Sequence, residues 1–362
     1  MNNAVESTSR ADGDQFQDAV LGGVSRTFAL TIPQLPPPLR RTVTNAYLLC
    51  RIADTIEDDP GVRVEEKERF HAWFIEILRG RDDVREFARE LEERLSTDSS
   101  PEEHHLVRHT ARVIDVTRSL DATTQAILGN RIAVMCRGMP AFQRRPRRDG
   151  LPNLAAMDQY CYYVAGVVGQ MLTELFCDYS PRIARCEKQL FDLSASFGQG
   201  LQMTNILKDV WEDQERGACW LPREVFSAHG YDLSELDPRR DRDAFAAGLR
   251  ELVGVAHGHL RNALSYTLLI PARETGIRRF CLWSLVLAVL TLQRIHDNPH
   301  FATGSDVKVS RATVRNIVRT TSAVCRSNAL IRGLFAWSAR GLPLTPDVST
   351  YQEFDRAVFP TQ

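Results

Sequence analysis

Apolar residues recur at three- and four-residue spacing along nearly the whole chain, and no stretch alternates apolar and polar residues between hairpin turns. The segment "EEKERFHAWFIEILRG" (65–80) shows the pattern: Phe70, Trp73, Phe74, Ile77 and Leu78 share one side of a helix with 3.6 residues per turn. Breaks fall at "PQLPPPL" (33–39), "DDPG" (58–61), "STDSSPEE" (96–103), "RRPRRDGLPN" (144–153), "YSPR" (179–182), "LPREVF" (221–226) and "DNPHFATGSD" (297–306). In the third of these, Ser100 precedes Pro101 and Glu103 sits three residues on, which is how a capped helix begins. With no repeat, low-complexity tract or shift in composition, the expectation is all-α: a single large helical domain over residues 16–345. Residues 1–15 are expected to be mobile and 346–362 poorly ordered.

The chain has 362 residues, 43% hydrophobic and 25% charged, which is ample for a buried core. A formal net charge of -1 gives no global field to attract nucleic acid, so no nucleic-acid partner is expected. Eight cysteines stand singly with no CxxC pair, and the polar start "MNNAVESTSRADGDQFQ" lacks the apolar core of a secretory signal. Both features fit a cytoplasmic protein with reduced thiols. The longest apolar run, "FCLWSLVLAVLTL" (280–292), falls short of the roughly 20 residues that cross a bilayer, so it reads as a buried core helix rather than a transmembrane anchor. Peripheral membrane contact stays open, with the arginine-rich "FQRRPRRDG" (142–150) as a place for it. Oligomeric state is not legible.

The chemistry begins at "RIADTIEDDP" (51–60), which puts Asp54, Glu57, Asp58 and Asp59 directly after the mostly apolar "NAYLLC". Asp54 and Asp58, four apart, fall on one face of a helix, with Arg51 three before Asp54. Acidic residues at a helix C-terminus oppose the helix dipole, and a lone pair of this kind reads as a solvated helix end. A second pair shifts the balance. "QMTNILKDVWEDQERG" (202–217) aligns Gln202, Asn205, Asp209 and Asp213 in a polar stripe flanked by Met203, Ile206, Leu207 and Val210. Two aspartate pairs facing each other would make a cage of hard oxygen ligands. Mg²⁺ suits such a cage because it keeps waters and shares itself between carboxylates and substrate phosphates. A diphosphate substrate follows, with Arg26, Arg51, Lys208 and Arg216 as candidate donors to the leaving group. In "YCYYVAGVVGQML" (160–172), Ala165, Gly166 and Gly169 leave room either for a closely packed helix or for a bulky apolar ligand.

These three stretches, in this order and widely spaced, resemble the squalene and phytoene synthase family, the enzymes that join two prenyl diphosphates head to head. The resemblance runs from "SRTFAL" (25–30) to "HFATGSDVKVSR" (300–311). It implies a helical domain of the isoprenoid synthase type with a central active-site cavity. Within the family, "DTIEDD", "YCYYVAG" and "RFCLWSLVLAVLTLQ" look most like squalene synthases, whereas "NILKDVWEDQERGACWLP" is closer to bacterial phytoene and dehydrosqualene enzymes. The implied activity is that of a bacterial squalene synthase of sterol or hopanoid biosynthesis. Two farnesyl diphosphates would condense to presqualene diphosphate, which NADPH would reduce to squalene. By the same resemblance, Asp54, Asp58, Asp209, Asp213 and Asn205 hold Mg²⁺, and Tyr160 assists proton transfer. Ser25, Arg26, Thr27, Phe28, Arg51, Gln202, Asn205, Lys208 and Phe280 contact substrate. Lys308 and Arg311 take the NADPH phosphates. Ser310 and Lys208 stand where squalene synthases often carry a basic residue and an arginine. Alternatives are a phytoene, dehydrosqualene or presqualene diphosphate synthase without the reductive step, a non-catalytic prenyl-lipid binder, and a diphosphate hydrolase.

Overall fold

The computed structural model describes residues 2–25, 27–143, 148–348 and 350, with backbone alone for 2–11. Among these residues no strand forms, and the extended pairing present is an isolated parallel bridge between Leu151 and Pro222. The chain is all-α, as its periodicity requires. The described residues group into two compact units: those of 2–143 with Glu174–Tyr179, and those of 148–173 with 180–350.

The first unit is built around the helix Pro37–Asp58, which packs against Asn2–Val24, Val64–Leu78, Pro101–Arg108, Thr110–Arg118 and Ala122–Gly138. Prolines in its first turn forfeit only N–H groups that lack helical partners anyway. Its buried Asn45 fixes the neighbours: Nδ2 donates to Gln17 Oε1 and to Val113 O, both at 2.9 Å, and Oδ1 accepts from Thr117 Oγ1 at 2.8 Å. The periodic segment of the sequence forms the helix Val64–Leu78. Phe70, Phe74 and Ile77 are buried, and Phe74 stacks on Phe87 of the next helix at 5.6 Å. Ser100 and Glu103 form the expected capping box, Glu103 N to Ser100 Oγ at 3.2 Å and Ser100 N to Glu103 Oε2 at 2.7 Å.

In the second unit, the helix Glu187–Lys208 lies along Arg242–Leu269 and against the segment that begins at Leu154. That segment runs as α-helix to Cys161, widens into a π turn over Tyr162–Gly166, and resumes as α-helix over Val167–Tyr179. The small residues noted in the sequence are explained by close helix packing. A Cβ added at Gly169 would lie 2.1 Å from Ser194 O, and one at Gly198 would lie 2.1 Å from Ala165 O. The apolar run becomes the helix Thr275–Asp297, long and apolar enough to span a membrane, yet 72% of its most apolar window is buried in the protein. From this helix the buried Arg278 donates to Ile270 O at 2.7 Å, Cys325 O at 2.9 Å and Asn328 Oδ1 at 2.7 Å. It thereby satisfies carbonyls at the C-terminal ends of the helices Arg242–Leu269 and Arg311–Val324, which helical bonding leaves open, and it ties them to Asn328–Ser338.

The glycines give a test with two signs. Gly169→Ala is expected to destabilise the protein by about 1–3 kcal/mol, because backbone carbonyls cannot yield to the new methyl. Gly129→Ala, inside the helix Ala122–Gly138 with nothing within 4 Å of the added Cβ, is expected to stabilise by up to about 1 kcal/mol. Urea unfolding of both variants measures the two signs against each other.

Candidate active site

In the first unit, the helix Pro37–Asp58 divides the four carboxylates of "DTIEDD" into two kinds. Glu57 is buried and accepts from Gln143 Nε2 at 2.7 Å. Asp59, also buried, accepts from Gly61 N at 2.7 Å, Ser96 N at 3.0 Å and Ser99 Oγ at 2.5 Å, which ties the turn after the helix to the following loop. These two acids serve the fold. Asp54 and Asp58 lie one turn apart on another face, behind Arg51. Asp58 is exposed, whereas Asp54 Oδ1 is shielded from solvent and accepts no hydrogen bond. Burial pushes the Asp54 carboxyl up to about 7, Arg51 pulls it down, and the charges of Asp58 and Glu103 push it up again.

Two further residues belong to this cluster. Arg51 Nη2 forms an ion pair with Glu103, so one glutamate both caps a helix and holds the arginine. Tyr47, one turn before Arg51, donates to Val24 O at 3.2 Å and packs against Phe28 with ring centroids 4.9 Å apart. Ser25 Oγ accepts from Phe28 N at 3.0 Å. Ser25 and Phe28 are therefore brought to the face that carries Arg51 and Asp54. Thr27 is exposed, and Arg26 lies outside the described residues.

In the second unit, the polar stripe bends where the sequence suggests one straight helix. The helix Glu187–Lys208 ends before Asp209, whose φ of -99° and ψ of 15° turn the chain into the short helix Val210–Glu215. Hydrogen bonding continues across the bend, from Asp209 N to Asn205 O and from Asp213 N to Asp209 O, both at 2.8 Å. Trp211 anchors the short helix by donating from Nε1 to Phe301 O at 2.9 Å. Along the stripe Asn205 is exposed while Gln202, Asp209 and Asp213 are half-buried, and Met203, Ile206, Leu207 and Val210 are buried as expected. Lys208 Nζ sits 3.0 Å from Asp209 Oδ2. Burial raises the Asp209 carboxyl above its ordinary range against the pull of Lys208. Glu212 Oε1 accepts from Gly304 N at 2.8 Å, and a Cβ on Gly304 would lie 3.2 Å from Asp209 Oδ1. The turn packed on Asp209 thus leads directly to Lys308 and Arg311, both exposed.

Tyr160 is buried, its ring stacked on Trp220 at 3.8 Å and 7°. The same short helix, Leu154–Cys161, carries Asp158, which belongs to a polar network that the sequence did not signal. Ser196 Oγ is 2.9 Å from His259 Nδ1, His259 Nε2 is 3.6 Å from Asp158 Oδ1, and Gln199 Nε2 donates to Asp158 Oδ1 at 2.9 Å. Burial pushes His259 down to about 4, so its imidazole is neutral. These residues are far apart in sequence and make no motif. Phe280 is buried on the helix Thr275–Asp297.

Among the described residues no three His, Cys, Asp or Glu side chains gather closely enough to hold a metal alone. A pair of carboxylates nonetheless suits Mg²⁺, which takes its other ligands from water and phosphate. The unpartnered Asp54 Oδ1 fits that use, since a shielded carboxylate oxygen with no donor is relieved by a cation. A stability test follows with a definite sign. Burial pushes the folded Asp54 carboxyl up to about 7, above its unfolded value, so the carboxylate opposes folding fully above pH 7, and that penalty shrinks as pH drops from 7 toward the ordinary aspartate range of about 4. In EDTA, Asp54→Asn is expected to stabilise the protein by on the order of 2 kcal/mol at pH 8 and by much less at pH 5. Urea unfolding at the two pH values reads the difference.

Comparison with known proteins gives the family and the fold. The sequence profile of the squalene/phytoene synthase family matches residues 21–313. Squalene synthase BSS of Botryococcus braunii is 32% identical over 312 residues, which is 84% of this chain and 63% of that protein. The chain therefore spans less than two thirds of that relative's length. Among solved structures, TcSQS in complex with the ligand BPH1237 superposes with a TM-score of 0.70 at 23% identity, over 91% of this chain and 98% of the other. A dehydrosqualene synthase with bound ligand gives 0.65 at 19% identity, over 88% and 99%. These likenesses establish the isoprenoid synthase fold. With a profile match that takes in both aspartate motifs and the tyrosine-glycine helix, the chain belongs to the squalene/phytoene synthase family.

Proposed function

We propose that the protein is a squalene synthase, a farnesyltransferase that condenses two farnesyl diphosphates to presqualene diphosphate and reduces this to squalene with NADPH. The observation that carries the reading is the Asp54 carboxylate oxygen Oδ1, shielded from solvent without a hydrogen-bond donor, one turn from Asp58. Asp54, Asp58, Asp209 and Asp213, with Asn205, would hold Mg²⁺, which when bound neutralises diphosphate oxygens and eases departure of the leaving group. The exposed pair Lys308 and Arg311, neither of which forms an ion pair with a described residue, suits the phosphates of NADPH, which when bound supplies hydride.

The chain's own side chains divide the remaining work. Arg51 and Lys208 donate to the diphosphate, and Ser25, Thr27, Phe28, Gln202 and Phe280 contact the substrate. Tyr160 takes part in the proton transfer that closes the cyclopropane ring. Its stacking on Trp220 holds the phenol in one orientation and keeps water from the ring face. Excluding water matters because an allylic cation would otherwise be trapped as an alcohol. Release of presqualene diphosphate or dehydrosqualene is the second reading, favoured by the resemblance of "NILKDVWEDQERGACWLP" to bacterial phytoene and dehydrosqualene enzymes.

Incubation with farnesyl diphosphate and Mg²⁺, with and without NADPH, separates the two when hexane extracts are read by gas chromatography–mass spectrometry. Squalene is expected only with NADPH, and dehydrosqualene formed regardless of it would overturn the reductive half. Asp54→Ala and Asp213→Ala are each expected to lower turnover by at least about a hundredfold. Tyr160→Phe, which preserves the stack on Trp220, is expected to lose roughly 10²–10³ in turnover. A folded aspartate variant with near-normal rate would sink the metal assignment.

A further inference from the structure

Residues 308–346 carry seven basic side chains (Lys308, Arg311, Arg315, Arg319, Arg326, Arg332 and Arg340) and no acidic one, in a chain whose formal net charge is -1. All seven are exposed, and none forms an ion pair with a described residue. They contrast with the first unit, where exposed arginines such as Arg69 and Arg108 pair with glutamates. The same segment holds three of the five large hydrophobic residues that stand exposed among the described residues: Leu330 at 56%, Trp337 at 70% and Leu344 at 39%.

The helix Asn328–Ser338 shows how this arises. Its inner side buries Ile331, Phe335 and Ser338, which already satisfies the core. Leu330 and Trp337, seven residues apart and so two turns apart on one side, face outward with half-buried Leu334 between them. A Cβ added at Gly333 would meet nothing within 4 Å, so this side is open. Isolated exposed apolar residues are ordinary on soluble proteins. An outward Leu–Leu–Trp stripe flanked by Arg326, Arg332 and Arg340, with no carboxylate in the segment, combines two features that a water-facing helix does not need. Both suit an anionic bilayer surface, where tryptophan and leucine enter the headgroup boundary and arginines meet lipid phosphates.

We infer that the helix Asn328–Ser338 and the basic segment around it form a docking surface for anionic lipid bilayers. The inference stands on charge and exposure and is independent of the reaction proposed above.

The full chain is tested by co-sedimentation with vesicles of phosphatidylcholine alone or mixed with phosphatidylglycerol. Binding is expected only to the mixed vesicles and is expected to weaken at high salt. Trp337 is the most exposed of the five tryptophans, so intrinsic emission is expected to shift to the blue on binding. Replacing Arg326, Arg332 and Arg340 together by Gln is expected to weaken binding by about a hundredfold. Trp337→Ser is expected to remove the blue shift and to weaken binding by about tenfold. Circular dichroism and turnover are expected to stay unchanged in both variants, since none of the four side chains packs in the core. Equal binding to neutral vesicles, undiminished binding of the arginine variant, or a dimer that Trp337→Ser dissolves and that ignores vesicles would each overturn the assignment.

Discussion

A carboxylate short of water favours a proton or a cation, and the first unit is arranged so that half-buried Asp54 has one oxygen, Oδ1, shielded from solvent with no donor. That condition depends on everything around it. Asn45 clamps the same helix to its neighbours, and Asp59 ties the helix end to the loop at Ser96–Ser99. Glu103 draws Arg51 toward itself, which leaves Asp54 with only part of a positive partner. A rigid frame thus maintains an electrostatic demand that a soft one would relax away.

The second unit meets a comparable demand differently. Asp209 has Lys208 beside it, and the bend at Asp209 is held by Trp211 on one side and by the Gly304 turn on the other. One carboxylate is kept short of partners, and the other is supplied with a lysine that a diphosphate can compete for. Asp54 lies on a helix whose opposite face is committed to core, and Asp209 lies at a bend fixed by the hydrogen bonds on either side of it, so neither can turn away from its charge. Arg278 uses the same physics in reverse, as a buried cation satisfied by carbonyl oxygens rather than by an acid.

What could be read from the sequence follows from the range of each signal. Helical periodicity, the Ser100 cap and the stop at "DDPG" are local, and each appears where the residues indicate. The separation of Asp54 and Asp58 from Glu57 and Asp59 is also local in principle, since helix phase sets it. Only the positions of Gln143, Ser96 and Ser99 show that the second two are spoken for. Glu103 reads as a cap in sequence, and its second role needs Arg51 brought alongside by folding. The Asp158–His259–Ser196 network has no local signal, because three helices supply it. The bend at Asp209 is hidden for another reason: its flanking hydrogen bonds keep the helical i to i+4 pattern that the sequence suggests.

The π turn at Tyr162–Gly166 amounts to one residue more than an α-helix needs over the same rise. Each helical residue turns the chain by about 100°, so removing that residue would swing everything before the turn around the helix axis relative to everything after it. Gly166 and Gly169 are bound by contact to the helix Glu187–Lys208, and Tyr160 is bound to Trp220. Both attachments hold at once only because of the surplus residue. A single-residue deletion there would leave composition, charge and helix content almost untouched while forcing the chain to choose between its packing and its tyrosine.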